Sequence, residues 1–207
     1  MITIIDYEMG NLRSVEKAFE KLGHAAKVSS KPADLENTDK IVLPGVGAFR
    51  DCINNLRAGG FVEPLLKHVE SGKPLLGICV GMQMLFDESE EFGCHQGLGL
   101  VPGKVVRFPA GMKEGGERLK VPHMGWNTIQ IKQDAPIFKN TVEGSYVYFV
   151  HSYYCSADNQ DDVAAICRYG EIEFSAAIWR DNLMATQFHP EKSQDIGLNI
   201  FKNFGEL

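Results

Sequence analysis

A cysteine set between two glycines, where a short apolar run gives way to a helical pattern, constrains this chain more than any other feature. Lys73-Pro74-Leu75-Leu76 reads as a buried strand, and Gly77-Ile78-Cys79-Val80-Gly81-Met82-Gln83 follows it. Met82 to Phe86 reads as helix. Cys79 then stands on a sharp turn at the carboxyl end of a strand. Gly77 and Gly81 permit backbone angles and close packing that a side chain forbids. The pattern is that of a nucleophile elbow, Gly-x-nucleophile-x-Gly, with sulfur in place of oxygen. A helix aiming its amino end at the thiol favours thiolate. A free cysteine is more often a plain core residue, so this reading requires a base elsewhere in the chain.

The rest of the first half alternates strand and helix. Residues 2–6, His24 to Ser29 and Ile41 to Leu43 read as strands. Asn11 caps a helix with Leu12, Val15, Phe19 and Leu22 on one face, ended by Gly23. Pro32 opens a helical turn, and further helices are expected over 48–58 and 61–71. Such alternation implies parallel pairing with helices on both faces. After about residue 100 the texture changes. Stretches 105–108, 126–131, 146–150, 163–168, 174–179 and 183–188 are rich in β-branched and aromatic residues and read as strands. Gly111 to Glu117 reads as a loop, and a last helix from about Ser193 carries Ile196, Ile200, Phe201 and Phe204 on one face. The expectation is one α/β domain over residues 1–207, a mainly parallel central sheet flanked by helices, with a β-rich second half.

Composition excludes several classes. A net charge of −6 and no basic stripe argue against nucleic acid as a partner. No apolar run reaches membrane-spanning length, and Met1-Ile2-Thr3-Ile4-Ile5-Asp6 has no cationic lead, so a cytoplasmic protein is expected. The five cysteines include no C-x-x-C pair, which fits a reducing compartment and suggests neither a disulfide framework nor a zinc ribbon. Cys94-His95 lacks a second half with ligand spacing, so no metal is expected. Gly97 to Gly103 has the wrong spacing for a dinucleotide fingerprint, and Pro44-Gly45-Val46-Gly47 lacks the Lys-Ser/Thr of a P-loop. That second segment does lie at a carboxyl strand end, where its N–H groups can meet an oxyanion.

The base is sought among six histidines. His189-Pro190-Glu191 follows a strand pattern, as Cys79 does. Pro190 pushes His189 toward extended geometry, and in extended chain positions i and i+2 point to one side. Glu191 can then orient His189 as the third member of a triad. Parallel strands would bring His189 and Cys79 to one edge of the sheet. His24 and His68 look solvated or structural. His123 and His151 lie in aromatic surroundings, where core and binding roles are both open.

With these motifs in view, the chain resembles the triad-type, class I glutamine amidotransferases. The likeness is carried by Gly77 to Gln83 and by Gln187-Phe188-His189-Pro190-Glu191-Lys192-Ser193, and it spans the whole chain. Within that family it is most similar to the glutaminase subunits of imidazole glycerol phosphate synthases, of histidine biosynthesis. The discriminating segments are Asp6-Tyr7 with Gly10-Asn11-Leu12, Pro44 to Phe49, Val121 to Asn127 and Tyr148 to Tyr154. The resemblance implies a glutamyl thioester on Cys79, proton transfer by His189 and orientation by Glu191. It implies oxyanion donors from the backbone of Val46, Gly47 and Val80. It implies that Gln83 and Glu91, with the backbone around Ser152 and Tyr153, hold the amino-acid end of glutamine. Ammonia would pass to a separate (β/α)₈-barrel synthase subunit that makes imidazole glycerol phosphate and an aminoimidazole carboxamide ribotide. His123, Trp126, Tyr148 and Lys192 would face that subunit. No metal or organic cofactor is implied. A glutaminase serving another synthase, such as that of pyridoxal phosphate, an α/β cysteine hydrolase or chaperone-like protein with a reactive thiol outside this family, and a catalytically idle binding module are the competing readings.

Overall fold

The computed structural model describes residues 1–207. The strands are β1 (Ile2–Ile5), β2 (Ala26–Ser29), β3 (Lys40–Gly45), β4 (Leu75–Cys79), β5 (Phe86–Ser89), β6 (His95–Gln96), β7 (Val101–Arg107), β8 (Lys113–Glu114), β9 (Glu117–Arg118), β10 (His123–Thr128), β11 (Gln130–Ile131), β12 (Tyr146–His151), β13 (Tyr153–Ala157), β14 (Val163–Tyr169), β15 (Ile172–Arg180) and β16 (Leu183–Thr186). The α-helices are α1 (Leu12–Lys21), α2 (Phe49–Ala58), α3 (Val62–Glu70), α4 (Val80–Gln83) and α5 (Gln194–Glu206).

Eight strands form the central sheet, in the order β11-β14-β15-β16-β4-β3-β1-β2. The half from β16 to β2 pairs in parallel, and the half from β11 to β16 pairs antiparallel. Strands β1, β4 and β16 are buried along their whole length, as near-continuous apolar strands in a covered parallel sheet must be. Helix α1 buries Val15, Ala18 and Phe19, and Phe19 meets Phe201 of α5 with ring centroids 4.8 Å apart. A smaller sheet, β13-β7-β5-β6, and two two-stranded ribbons, β10-β12 and β8-β9, make up the remaining β-structure.

The structure corrects four local expectations. The helix expected over 82–86 is the single turn α4, because the carbonyls of Met84 and Leu85 bind the N–H groups of Leu98, Leu100 and Val101 instead of continuing the helix. Strands β5, β6 and β13 were not anticipated, and the strand read over 126–131 is β10 followed by the short β11. The loop over Gly111 to Glu117 includes most of a small hairpin, β8-β9. Asn11 begins α1 without a side-chain cap bond, and its Nδ2 donates to Glu191.

Candidate active site

Three adjacent parallel strands deliver the candidate residues to one sheet edge. β4 lies between β3 and β16, with Gly45 opposite Cys79 and Thr186 opposite Ile78. Past their carboxyl ends come Val46 and Gly47, Val80, and His189. Cys79 itself takes φ +55° and ψ −111°, a backbone state that costs a non-glycine residue about 1–3 kcal/mol. Packing holds it there. A Cβ on Gly81 would lie 1.9 Å from the Leu43 carbonyl oxygen, and one on Gly45 would lie 2.7 Å from the Gly81 nitrogen. The elbow is thus wedged against the end of β3, and both contacts require glycine.

His189 and Glu191 meet as the sequence suggested, with Nδ1 2.8 Å from Oε1 and both side chains 2% exposed. Pro190 starts a 3₁₀ turn and His189 is extended before it, at φ −96°. The backbone is pinned as well: the His189 N–H donates to the Tyr148 carbonyl at 2.9 Å, and Ser193 Oγ donates to the His189 carbonyl at 2.7 Å. Asn11 Nδ2 donates to the same Glu191 oxygen at 3.3 Å. His189 Nε2 is buried and completes no well-formed hydrogen bond, a looseness common in sites that tighten on their substrate. Burial lowers the basicity of His189, but Cys79 and Glu191 together outweigh it and hold the ring up at about 10.

A pocket of about 260 Å³ joins these residues. It is lined by Cys79, Val80, Val46 and Gly47, by Gln83 and Glu91, by the segment 150–153, and by His189 and Lys192. Gln83 spends its amide N–H groups on the Tyr153 carbonyl and on Gln187 Oε1, both at 3.1 Å, so only its Oε1 is left to meet a ligand. Gln187 Nε2 in turn approaches Cys79 Sγ at 3.8 Å. Glu91 Oε2 accepts from the Phe49 N–H at 2.6 Å, which ties it to the amino end of α2. Burial raises the Glu91 carboxyl, and the Phe49 N–H partly offsets this. A larger cavity of about 780 Å³, lined by Arg107, Phe108, Arg118 and Lys120 among others, contains none of the triad.

Of the residues expected to face a partner, Trp126, Tyr148 and Lys192 form one cluster beside the pocket. Trp126 is 46% exposed and meets Tyr148 edge-on at 6.0 Å, while the Lys192 ammonium lies 5.6 Å from the Tyr148 ring centre. His123 does not belong there. It is 3% exposed and stacks on Tyr169 at 4.1 Å. Met124 and Tyr146 are the additional exposed apolar residues of this ribbon. Asn11 and Gln187 are site residues that sequence reasoning did not single out, and His151, left open there between core and binding roles, lines the pocket. Asn11 and Gln187 lay inside quoted motifs, but their partners are 180 and 108 positions away. No cluster of three or more histidine, cysteine, aspartate or glutamate side chains is arranged to hold a metal.

An elbow cysteine, a buried His-Glu pair and a mixed sheet of this order define a cysteine-dependent amidotransferase architecture. Residues 3–206 match the family model described as glutamine amidotransferase class-I, and the chain belongs to that family. It is 64% identical, over 100% of both chains, to the "imidazole glycerol phosphate synthase subunit HisH" of Syntrophotalea carbinolica. It is 61% identical to the protein of the same name from Geobacter sulfurreducens, over 100% of this chain and 98% of that one. Among solved structures, one described as a glutamine amidotransferase superposes with a TM-score of 0.75 at 20% identity, covering 100% of both chains. The PurLQS structure from Thermotoga maritima gives 0.72 at 19% identity, over 98% of this chain and 96% of that one. At these identities the structures bear on the fold alone.

Proposed function

We propose that this chain is the glutaminase subunit of an imidazole glycerol phosphate synthase, with residues 1–207 acting as one amidotransferase domain. The observation that carries the chemistry is the meeting of Cys79 with the buried His189–Glu191 pair in one small pocket. The full-length relatives supply the particular synthase. Cys79 Sγ attacks the side-chain amide carbon of glutamine. His189 delivers a proton to the departing nitrogen, so ammonia leaves and a glutamyl thioester remains. His189 then takes a proton from water, whose oxygen attacks the thioester, and glutamate leaves as the thiol is restored. In the reacting complex the Val46, Gly47 and Val80 N–H groups donate to the oxyanion, an effect of about 2.7–4 kcal/mol per donor. Glu91, Gln83 Oε1 and the Ser152–Tyr153 backbone hold the amino-acid end of glutamine. Ammonia passes to the barrel synthase subunit without release to water. All five cysteines are unpaired, as suits a reducing cytoplasm, and no helix is long and apolar enough to cross a membrane. Ammonia release from glutamine by the purified chain, stimulated by the cognate synthase subunit and its ribonucleotide and by no other synthase, tests the assignment. Stimulation by a different synthase alone would overturn it.

The oxyanion loop carries a restriction of its own. Gly47 adopts φ +102°, whereas Val46 stays out of the positive-φ region. The carbonyls on either side are held, Pro44 by the Tyr7 hydroxyl at 2.5 Å and Val46 by the Cys52 thiol at 3.4 Å. Turning the Val46 N–H onto the thioester oxygen by rotating the Gly45–Val46 peptide drives valine toward positive φ, which is sterically costly. The isolated subunit then has an assembled triad and an incomplete oxyanion hole until the partner and its ligand shift the loop. Val46→Gly should raise basal glutaminase activity roughly tenfold, within the range that relief of such strain allows, and reduce the stimulation by acceptor ligand. An unchanged stimulation ratio, with the Val46 N–H already on the Cys79 side in the free subunit, would rule this out.

The exposed Trp126–Tyr148–Lys192 cluster is the face we assign to the synthase subunit. Aromatic anchors and long cations are common at such interfaces. Lys192 directly follows Glu191, so an acidic partner residue near the ammonia route can bind its ammonium. Lys192→Ala should keep the fold and weaken stimulation roughly two- to five-fold, the scale of a partly exposed charge contact. Unaltered ammonia transfer and stimulation would make Lys192 a bystander.

A further inference from the structure

His123 and His151 are buried, titratable and unused by the reaction described above. They face each other across the ribbon, His123 opposite His151 in the β10–β12 pairing, with His123 Nδ1 3.0 Å from His151 Nε2. The protons on this pair can be assigned from the groups around it. His151 Nδ1 lies 2.8 Å from the Tyr153 carbonyl oxygen. A carbonyl only accepts, so Nδ1 carries the proton and a neutral His151 has its lone pair on Nε2. That lone pair faces His123 Nδ1, which must then be the donor. His123 Nε2, left as an acceptor, receives Asn127 Nδ2 at 3.2 Å. The Asn127 amide cannot be reversed, because Nδ2 also donates to the Arg168 carbonyl at 2.8 Å and Oδ1 accepts from the Thr128 N–H at 2.8 Å. Protonating His151 would set two N–H groups against each other at the His123 contact, and protonating His123 would do the same at Asn127.

The end of this chain is the substrate pocket. The Tyr153 carbonyl accepts from His151 Nδ1 and from Gln83 Nε2, which uses both of its lone pairs. Gln83 continues to Gln187 and Gln187 to Cys79. We infer that His123 and His151 form a neutral pair, locked in one tautomer, that positions the Ser152–Tyr153 backbone and Gln83 for the amino-acid end of glutamine. They are positioning residues; neither touches the reacting atoms. The inference rests on the functional reading above. Their surroundings agree with it. Burial lowers His123 to about 4, and burial, against the pull of the Tyr153 carbonyl, lowers His151 to about 3. Neutrality at His151 also matters to the base, because a cation there would repel the protonated His189.

Two measurements test the pair. Nitrogen-15 NMR of the full chain should find both histidines in the Nδ1–H tautomer, with no titration between pH 5 and 8. An Nε2–H tautomer on either ring, or titration in that range, would overturn the inference. In the assembled synthase, His151→Leu should raise KM for glutamine about tenfold, the effect of losing one buried hydrogen bond, with kcat changed much less. His151→Asn, whose amide N–H replaces Nδ1–H, should recover most of the loss. His123→Phe keeps the stack on Tyr169 and removes the Nδ1 donor together with the Nε2 acceptor, while Asn127 Nδ2 retains the Arg168 carbonyl, so it reports if His151→Leu fails to fold; a several-fold rise in KM is expected. A wild-type complex that hydrolyses no glutamine would defeat the functional reading. An active wild type with unchanged KM in His123→Phe and in any folded His151 variant would defeat this inference alone.

Discussion

Cys79→Ala removes glutamine hydrolysis from the assembled synthase, lowering kcat/KM by at least about 10⁴-fold, the scale seen when a nucleophile is deleted from a triad. Synthesis from added ammonia continues, because the acceptor site lies on the other subunit. The fold persists for a local reason. Alanine meets the same steric limits as cysteine at φ +55°, and the glycine contacts that wedge the elbow do not involve the side chain at 79. Circular dichroism and thermal melting close to wild type, with the glutaminase assay flat, is the expected combination. Substantial glutamine hydrolysis by Cys79→Ala would remove Cys79 from the nucleophile role.

His189→Ala lowers kcat by about 10²–10⁴-fold, the usual contribution of a positioned acid–base group. Glu191→Gln lowers it less, because the imidazole stays in place with a weaker orienting partner. The two also differ in pH behaviour. Burial depresses His189, and Cys79 and Glu191 raise it beyond that, to about 10. A histidine raised above its unfolded value of about 6.5 stabilises the fold fully below that pH, and the contribution fades as pH rises through the folded value. Removing the Glu191 charge lowers the folded value. Both the alkaline limb of kcat/KM and the alkaline loss of stability should therefore move to lower pH in Glu191→Gln. A Glu191→Gln enzyme more impaired than His189→Ala, or with an unmoved alkaline limb, would contradict these roles.

The parts of the site legible in the sequence are those made by short-range geometry. Cys79 is marked by glycines two positions away on each side, and His189 and Glu191 by a proline between them. Each motif follows a strand pattern, and parallel pairing brings the strand ends together. The unread parts are contacts between distant positions. Nothing near Asn11 announces that its amide reaches Glu191 instead of capping α1. Nothing near Gln187 announces Gln83 or Cys79. The resemblance groups His123 with the interface because it shares the family-specific motif Val121 to Asn127 with Trp126. In the ribbon, however, neighbours alternate faces, and His123 turns inward while Met124 is 62% exposed. In the fold, the single turn α4 was overread as a longer helix. Beyond it the Met84 and Leu85 carbonyls accept from the N–H groups of Leu98, Leu100 and Val101, which local periodicity does not report.

The place of β16 in the central sheet bears on how the enzyme is made. This strand is the last to be synthesised, yet it lies in the interior of the sheet, between β15 and β4. A growing chain that has emerged only as far as β15 holds an open slot with an unpaired strand edge on each side. Such edges are sites for wrong pairing, and pairings distant in sequence form slowly. The thiol of Cys79 is already present at that stage, but its base arrives only with the segment that follows β16. A chain that stops short of His189 therefore holds the Cys79 thiol without the base proposed for it.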